Sequence, residues 1–326
     1  MLLNIFKINN HSAYIYLLGF TLGLGIFSAN LSVNADVFTN SILSFFIPIE
    51  NTGIYGKLSG VLLLLINVFV FDLFMISQEV CEKNNHVPAF LLGIFLCYPL
   101  SINPLHPLLF AQLLLSASMW YFISTYKSDK TFSAIFNGAF CLSIADIFYP
   151  PFIVFLGMCF ICILLLRSLV IREWILALTG IFLPYFFYVS LLFLFNKNMQ
   201  QPALNLANSF HAPSIPAYMN GSFLINFLVA LIAVFALMFF LTKTISNVIK
   251  TRKSFVIFLW LAIISIPTWF IVSTGGAFSF LLSAMPLSVF CGIYLGNTKR
   301  RIFAELLLWS LLSAFVTSML QQASII

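Results

Sequence analysis

Residues 58–78 read LSGVLLLLINVFVFDLFMISQ, an apolar run broken by a single charge, Asp72. About 20 residues of helix cross the roughly 30 Å hydrocarbon core of a bilayer. Inside lipid no water satisfies the backbone, so an isolated run of this length is confined to a helix. The pattern recurs near 13–31, 58–78, 88–102, 106–126, 132–148, 151–170, 174–195, 222–241, 254–273, 276–296 and 302–322. The expectation is therefore an all-α, polytopic transmembrane bundle of about 11 membrane helices, with residues 1–326 as one integral membrane domain. Composition agrees: charged residues are 7% of the chain, against about a quarter in soluble domains. The first run follows Lys7 and precedes a VNA stretch at 33–35. It is longer than a signal-peptide core, so it reads as a retained anchor.

Charge gives the orientation. With the N-terminus in the cytoplasm, the inner connections hold Lys7, Lys83, Lys127, Lys130, Arg167, Arg172, Lys243, Lys250, Arg252, Lys253, Lys299, Arg300 and Arg301. Only Lys57 and Lys197 fall outside. Cytoplasmic loops of membrane proteins collect Lys and Arg. The expected topology is N-terminus cytoplasmic and C-terminus periplasmic. The same split explains the net charge of +6 without nucleic acid as a partner.

Two outer segments are long enough to carry structure. In the first, 32–57, the stretch VFTNSILSFFIPI (37–49) has the spacing of a short amphipathic helix lying in the interface. The second, 196–221, is polar and proline-containing and reads as an ordered loop. Inner connections are short, so any chemistry belongs within the bundle or at its face.

Few residues are equipped for that chemistry. Asp146, in IADIFYPPF (144–152), lies one turn from the outer end of the fifth run. An ionisable group in a span costs about 2.5–3.5 kcal/mol on insertion scales and faces a cavity or a partner. Two readings of Asp146 stay open: it lines an outward cavity, or it caps the helix after Pro150 or snorkels to the headgroups. Asp36, in the first outer loop, is either an acid of the same face or the N-cap of the interfacial helix. Asn103 and His106 occupy the tight outer connection NPLHP, on the same face as Asp146 and Asp36. His211, in the second outer loop, is a weaker candidate. Asp72 reads as a polar contact between helices. Gly19, Gly23 and Gly25 form a small-residue face suited to close packing. Arg167 with Arg172-Glu173-Trp174 reads as a structural joint, and Cys159-x-x-Cys162 as packing thiols. The chain has no H-E-x-x-H, P-loop or G-x-S-x-G motif, and no cofactor is evident.

The stretches HVPAFLLGIFLCYPLS (86–101), LHPLLFAQLLLSASMWYF (105–122), FNGAFCLSIADIFYPPFIVF (136–155) and RSLVIREWILALTGIFLPYFF (167–187) carry a resemblance. They resemble an uncharacterised family of multi-pass inner-membrane proteins of Bacteroidota-type bacteria. That resemblance implies a bacterial inner membrane and no activity. The acidic first outer loop, the P-P-F turn and the basic joint are also similar to the GT-C polytopic glycosyltransferases. This second resemblance implies sugar transfer from a polyprenyl-phosphate donor at the outer face. Asp36 and Asp146 would then deprotonate the acceptor or hold a divalent metal. Lys57 or His106 would neutralise the donor phosphate, and Asn103 and Tyr149 would bind substrate. Two other classes fit the same sequence. One is a non-enzymatic subunit scaffolding an envelope-assembly or secretion complex. The other is a transporter or lipid flippase with Asp146 and Asp72 along a path, although no inverted repeat is evident. Convergence of the acids separates the three.

Overall fold

The computed structural model describes residues 11–32, 53–81, 85–126, 128, 131–167, 170–196, 200–210, 249–271, 279–297 and 301–322. Among them, all regular structure is helical. In chain order the α-helices are α1 (His11–Asn30), α2 (Ile54–Ser77), α3 (Val87–Ile102), α4 (Pro107–Ser124), α5 (Thr131–Phe148), α6 (Leu156–Leu166), α7 (Ile171–Leu194), α8 (Gln201–Ser209), α9 (Ile249–Ile271), α10 (Ala284–Asn297) and α11 (Arg301–Gln322). Short 3-10 helices, Pro150–Phe155 and Ser279–Ser283, lead into α6 and α10. These helices follow the expected runs, with one addition. The segment expected as the second outer loop contains α8, whose Pro202 occupies the first turn, where a missing N–H costs nothing. The expected run 222–241, the interfacial stretch 37–49, Asp36 and His211 lie outside the described residues.

The helices run up and down, and contacts between distant segments sort their ends into two groups. At one end, Thr251 Oγ1 donates to the Glu79 carbonyl (3.2 Å), the Lys253 ammonium lies 5.1 Å from the Tyr126 ring, and Asn85 Nδ2 donates to the Gly292 carbonyl (3.4 Å). At the other, Gly60 meets Pro104, the His106 and Tyr149 rings lie 6.1 Å apart, and α8 packs on the Pro150–Phe155 helix.

Helix α3 forms the centre. Every residue from Val87 to Ser101 is buried, so neighbouring helices cover this helix on all sides. Helices α1, α2, α10 and α11 pack around it. Two glycines set the spacing. A Cβ on Gly292 would lie 2.6 Å from the Pro88 backbone, and one on Gly60 would collide with the Pro104 carbonyl. The expected small-residue face of α1 is corrected: among the described residues nothing lies near a Cβ built on the exposed Gly19 or Gly23, and of the three glycines only Gly25 meets α2, at Val61. The packing stripe of α1 is Ala13, Leu17, Thr21 and Ser28, all buried at helical spacing.

The rim at this second end is set by proline. Tyr149 is extended (φ −136°, ψ 95°) because Pro150 disfavours helix at the preceding residue. Helix α5 therefore stops at Phe148, and the chain turns back through Pro150–Phe155 into α6. Helix α7 keeps Phe182, Phe186, Phe187 and Phe193 exposed, a surface suited to lipid tails.

Candidate functional site

Asp146 points inward. It is 3% exposed and sits in the buried stripe of α5 with Ile135, Ala139 and Leu142. Its carboxylate accepts from the backbone N–H of Ile153, in the 3-10 helix beyond the proline turn. Oδ1 is buried with no hydrogen-bond partner among the described residues. The side chain thus caps the returning chain and still holds an unsatisfied acceptor. An unpaired buried acceptor loses its water without replacement, a penalty of about 1–3 kcal/mol or more.

The neighbouring outer residues are used locally. Asn103 Oδ1 accepts from Leu105 N–H (3.1 Å), which closes the NPLHP turn. His106 is the N-cap of α4, its Nδ1 accepting from Leu108 N–H (3.1 Å). That bond commits Nδ1 as a lone pair, so the proton sits on Nε2. Burial holds the imidazole down to about 4. His106 is therefore a neutral N–H donor, not a cation that neutralises a phosphate. Burial also pushes the Tyr149 phenol up, so it stays protonated. Lys57 lies half-buried in the first turn of α2, one turn from Gly60 and its contact with Pro104. The structure thus groups Asp146, Tyr149, His106, Asn103 and Lys57 at one end of the bundle.

The His106 shift has a pH consequence. Folded His106 resists protonation, whereas the unfolded residue titrates near 6.5. The unfolded state binds more protons below that value, so stability is full above pH 6.5 and falls as pH drops toward 4. His106→Asn keeps a capping side chain without the titration. It should flatten the melting temperature between pH 6.5 and 4.5 in detergent; an unchanged slope would assign the effect to another group.

Two polar amides in the core lie beyond the expected site. Gln112 of α4 is fully buried and neither of its amide atoms has a partner among the described residues. Asn67 of α2 donates from Nδ2 to the Leu63 and Leu109 carbonyls (2.9 and 3.1 Å) and leaves Oδ1 unpartnered.

The opposite end holds another buried acid, Asp72, whose partner is His86. His86 Nδ1 lies 3.0 and 2.9 Å from the two Asp72 oxygens, with both residues buried. Since the carboxylate accepts, Nδ1 carries the proton. The Tyr14 ring meets the imidazole edge-on at 4.6 Å, so α1, α2 and the start of α3 are joined there. Asp72 is thereby a satisfied contact between helices. Asn67 and Asp72 are five residues apart, a rotation of about 140° on a helix. Asn67 engages α4 while Asp72 faces α1 and α3, so helix α2 separates the two polar centres. The basic joint is an Arg167–Glu173 pair at 3.2 Å, with Trp174 stacked on Phe160 at 5.3 Å. Cys159 and Cys162 are buried free thiols, and the described residues contain no cluster of three metal-ligating side chains.

Five described helices are long and apolar enough to cross a membrane: Ala13–Asn30, Ile54–Ser77, Pro107–Ser124, Thr131–Phe148 and Ile171–Leu194. With the all-helical bundle they define the class, a polytopic helical membrane protein. Within that class, the chain belongs to DUF6427, a family of unknown function that matches residues 37–324. Comparison with curated proteins and with solved structures gives no match.

Proposed function

We propose that this protein is an inner-membrane enzyme of the GT-C kind, which transfers a sugar from a polyprenyl-phosphate donor at the periplasmic end of the bundle. The observation that carries the reading is the buried Oδ1 of Asp146, unpartnered among the described residues, at the end of the bundle that also holds Asn103 and the neighbouring rings of His106 and Tyr149. In the transfer, an acceptor hydroxyl gives its proton to Asp146 and its oxygen bonds the anomeric carbon. The bond from that carbon to the phosphate oxygen breaks, and polyprenyl phosphate leaves. Lys57, at the same end of the bundle, is the cation suited to the leaving phosphate, and Asp36 of the first outer loop is a second acid for the same face. The topology behind this reading places the N-terminus in the cytoplasm and the C-terminus in the periplasm. The grouping of helix ends supports it: Thr251, Lys253 and Glu79 meet at one end, and His106 and Tyr149 at the other.

The test is turnover by the purified full chain in liposomes loaded with a labelled polyprenyl-phosphate sugar. Wild type should consume the donor once an acceptor is present, and Asp146→Asn should lower the rate at least a hundredfold. An inert wild type would favour a second reading, a non-enzymatic membrane subunit. The Ile153 N–H bonded to Asp146 supports that alternative, because a cap explains one carboxylate oxygen without any ligand.

A further inference from the structure

The α4–α5 interface sets two unsatisfied polar side chains at one depth. The rings of Phe110 and Phe148 stack at 5.6 Å, and further along Ser118 Oγ donates to the Gly138 carbonyl (2.8 Å). These contacts fix an antiparallel register. Gln112 stands two residues beyond Phe110 and Asp146 two residues before Phe148, so both lie about 3 Å inward of the stacked rings. Each occupies the middle of its helix's buried stripe: Gln112 with Leu108, Leu115 and Met119, and Asp146 with Ala139 and Leu142. Gln112 is 0% exposed and Asp146 3%. The Gln112 amide and Asp146 Oδ1 both lack partners, so they do not bond each other. Asn67, holding the Leu109 carbonyl one turn from Gln112, adds a third unsatisfied atom, its Oδ1.

The chemistry of this set selects its occupant. A carboxylate oxygen and an amide oxygen need donors, while the amide NH2 needs an acceptor. A phosphate would suit the NH2 and leave the Asp146 and Asn67 oxygens without donors. An ammonium would suit the carboxylate and leave the NH2 unmet. A hydroxyl satisfies both, donating to Asp146 Oδ1 and accepting from Gln112 Nε2. The neutral Nε2–H of His106 and the Tyr149 phenol, at the same end, are further uncharged partners for hydroxyls.

We infer that Gln112, Asp146 and Asn67 form a subsite for the hydroxyl-bearing, uncharged part of the ligand's headgroup, with the phosphate held elsewhere. This rests on the lipid-linked-substrate reading above and names which part of that substrate the α4–α5 interface reads. A lone water has the same donor and acceptor pattern and is the competing occupant.

The two are separated by binding of farnesyl phosphate and farnesyl phosphoryl glucose to the full chain in nanodiscs. Wild type should bind the glucose compound at least tenfold more tightly. Gln112→Leu should remove that preference and leave the Kd for farnesyl phosphate unchanged. Its melting temperature should not fall, because an unsatisfied amide is replaced by an apolar group of similar size. If Leu fails to fold, Gln112→Met provides the same comparison with an unbranched chain. Equal binding of the two probes by wild type would overturn the subsite and leave a water there, while lipid-phosphate binding would stand. Binding of neither probe would remove the lipid-linked reading and the subsite with it.

Discussion

His86→Ala should destabilise the bundle by about 3–5 kcal/mol, because it leaves the Asp72 carboxylate buried with its partner removed. Asp72 is 1% exposed and its oxygens lie 2.9 and 3.0 Å from His86 Nδ1. The loss also opens space beneath Tyr14, whose ring lies 4.6 Å from the imidazole. Asp72→Asn should cost less, since an amide oxygen still accepts from Nδ1–H. Replacing both residues with leucine should cost less than His86→Ala alone, because no charge then remains in the core. Thermal unfolding of the full chain in detergent checks the order. A His86→Ala protein as stable as wild type would mean that Asp72 is hydrated or neutral.

Gly60→Val should be nearly as damaging, for a steric reason. The atoms nearest a Cβ at Gly60 are the backbone carbonyl of Pro104, which cannot rotate away, and Leu100 Cδ1 at 2.7 Å. Overpacking of this kind costs about 1–3 kcal/mol and more when backbone must move. Even Gly60→Ala should be harmful, since the first carbon already collides. Gly19→Ala and Gly23→Ala on α1 are the controls. Nothing among the described residues lies within 4 Å of either built Cβ, and alanine favours helix over glycine by about 1 kcal/mol. Yields of monodisperse protein should separate the two groups. Equal yields would mean that α2 and the 103–106 turn are further apart than the structure places them.

Most of the fold was legible because its main signal, a long apolar run, is local. Helices α2, α4, α5 and α7 are the clearest cases, since each lies on an expected apolar run and is long enough to cross a membrane. Helix α8 was hidden because NKNMQQPALNLANSF combines asparagines with proline, a loop composition. Its Pro202 sits where a first helical turn tolerates it, and tertiary contact with the Pro150–Phe155 helix supports the rest. The glycines of α1 misled because spacing alone does not say whether a neighbour is present.

The candidate site was legible only at its charge. Asp146 stands out because a carboxylate in an apolar run is costly. Gln112 carries no charge and needs the α4–α5 register before it means anything. His86 could have been paired with Asp72 from sequence: one ends a span and the other opens the next across a short connection. The choice among Tyr14, Asp72 and His86 as partners nevertheless depends on helix rotation, which the sequence does not specify at that resolution.

Native mass spectrometry of the full chain, released directly from its own membranes, bears most directly on the site at Asp146. Wild type should retain a lipid whose fragments include a phosphate and a hydroxyl-rich headgroup, and Asp146→Asn should retain at least tenfold less at equal protein. A wild-type protein that carries no phosphorylated lipid, or an Asp146→Asn protein that carries the same amount, would contradict a substrate site at the outer end of the bundle.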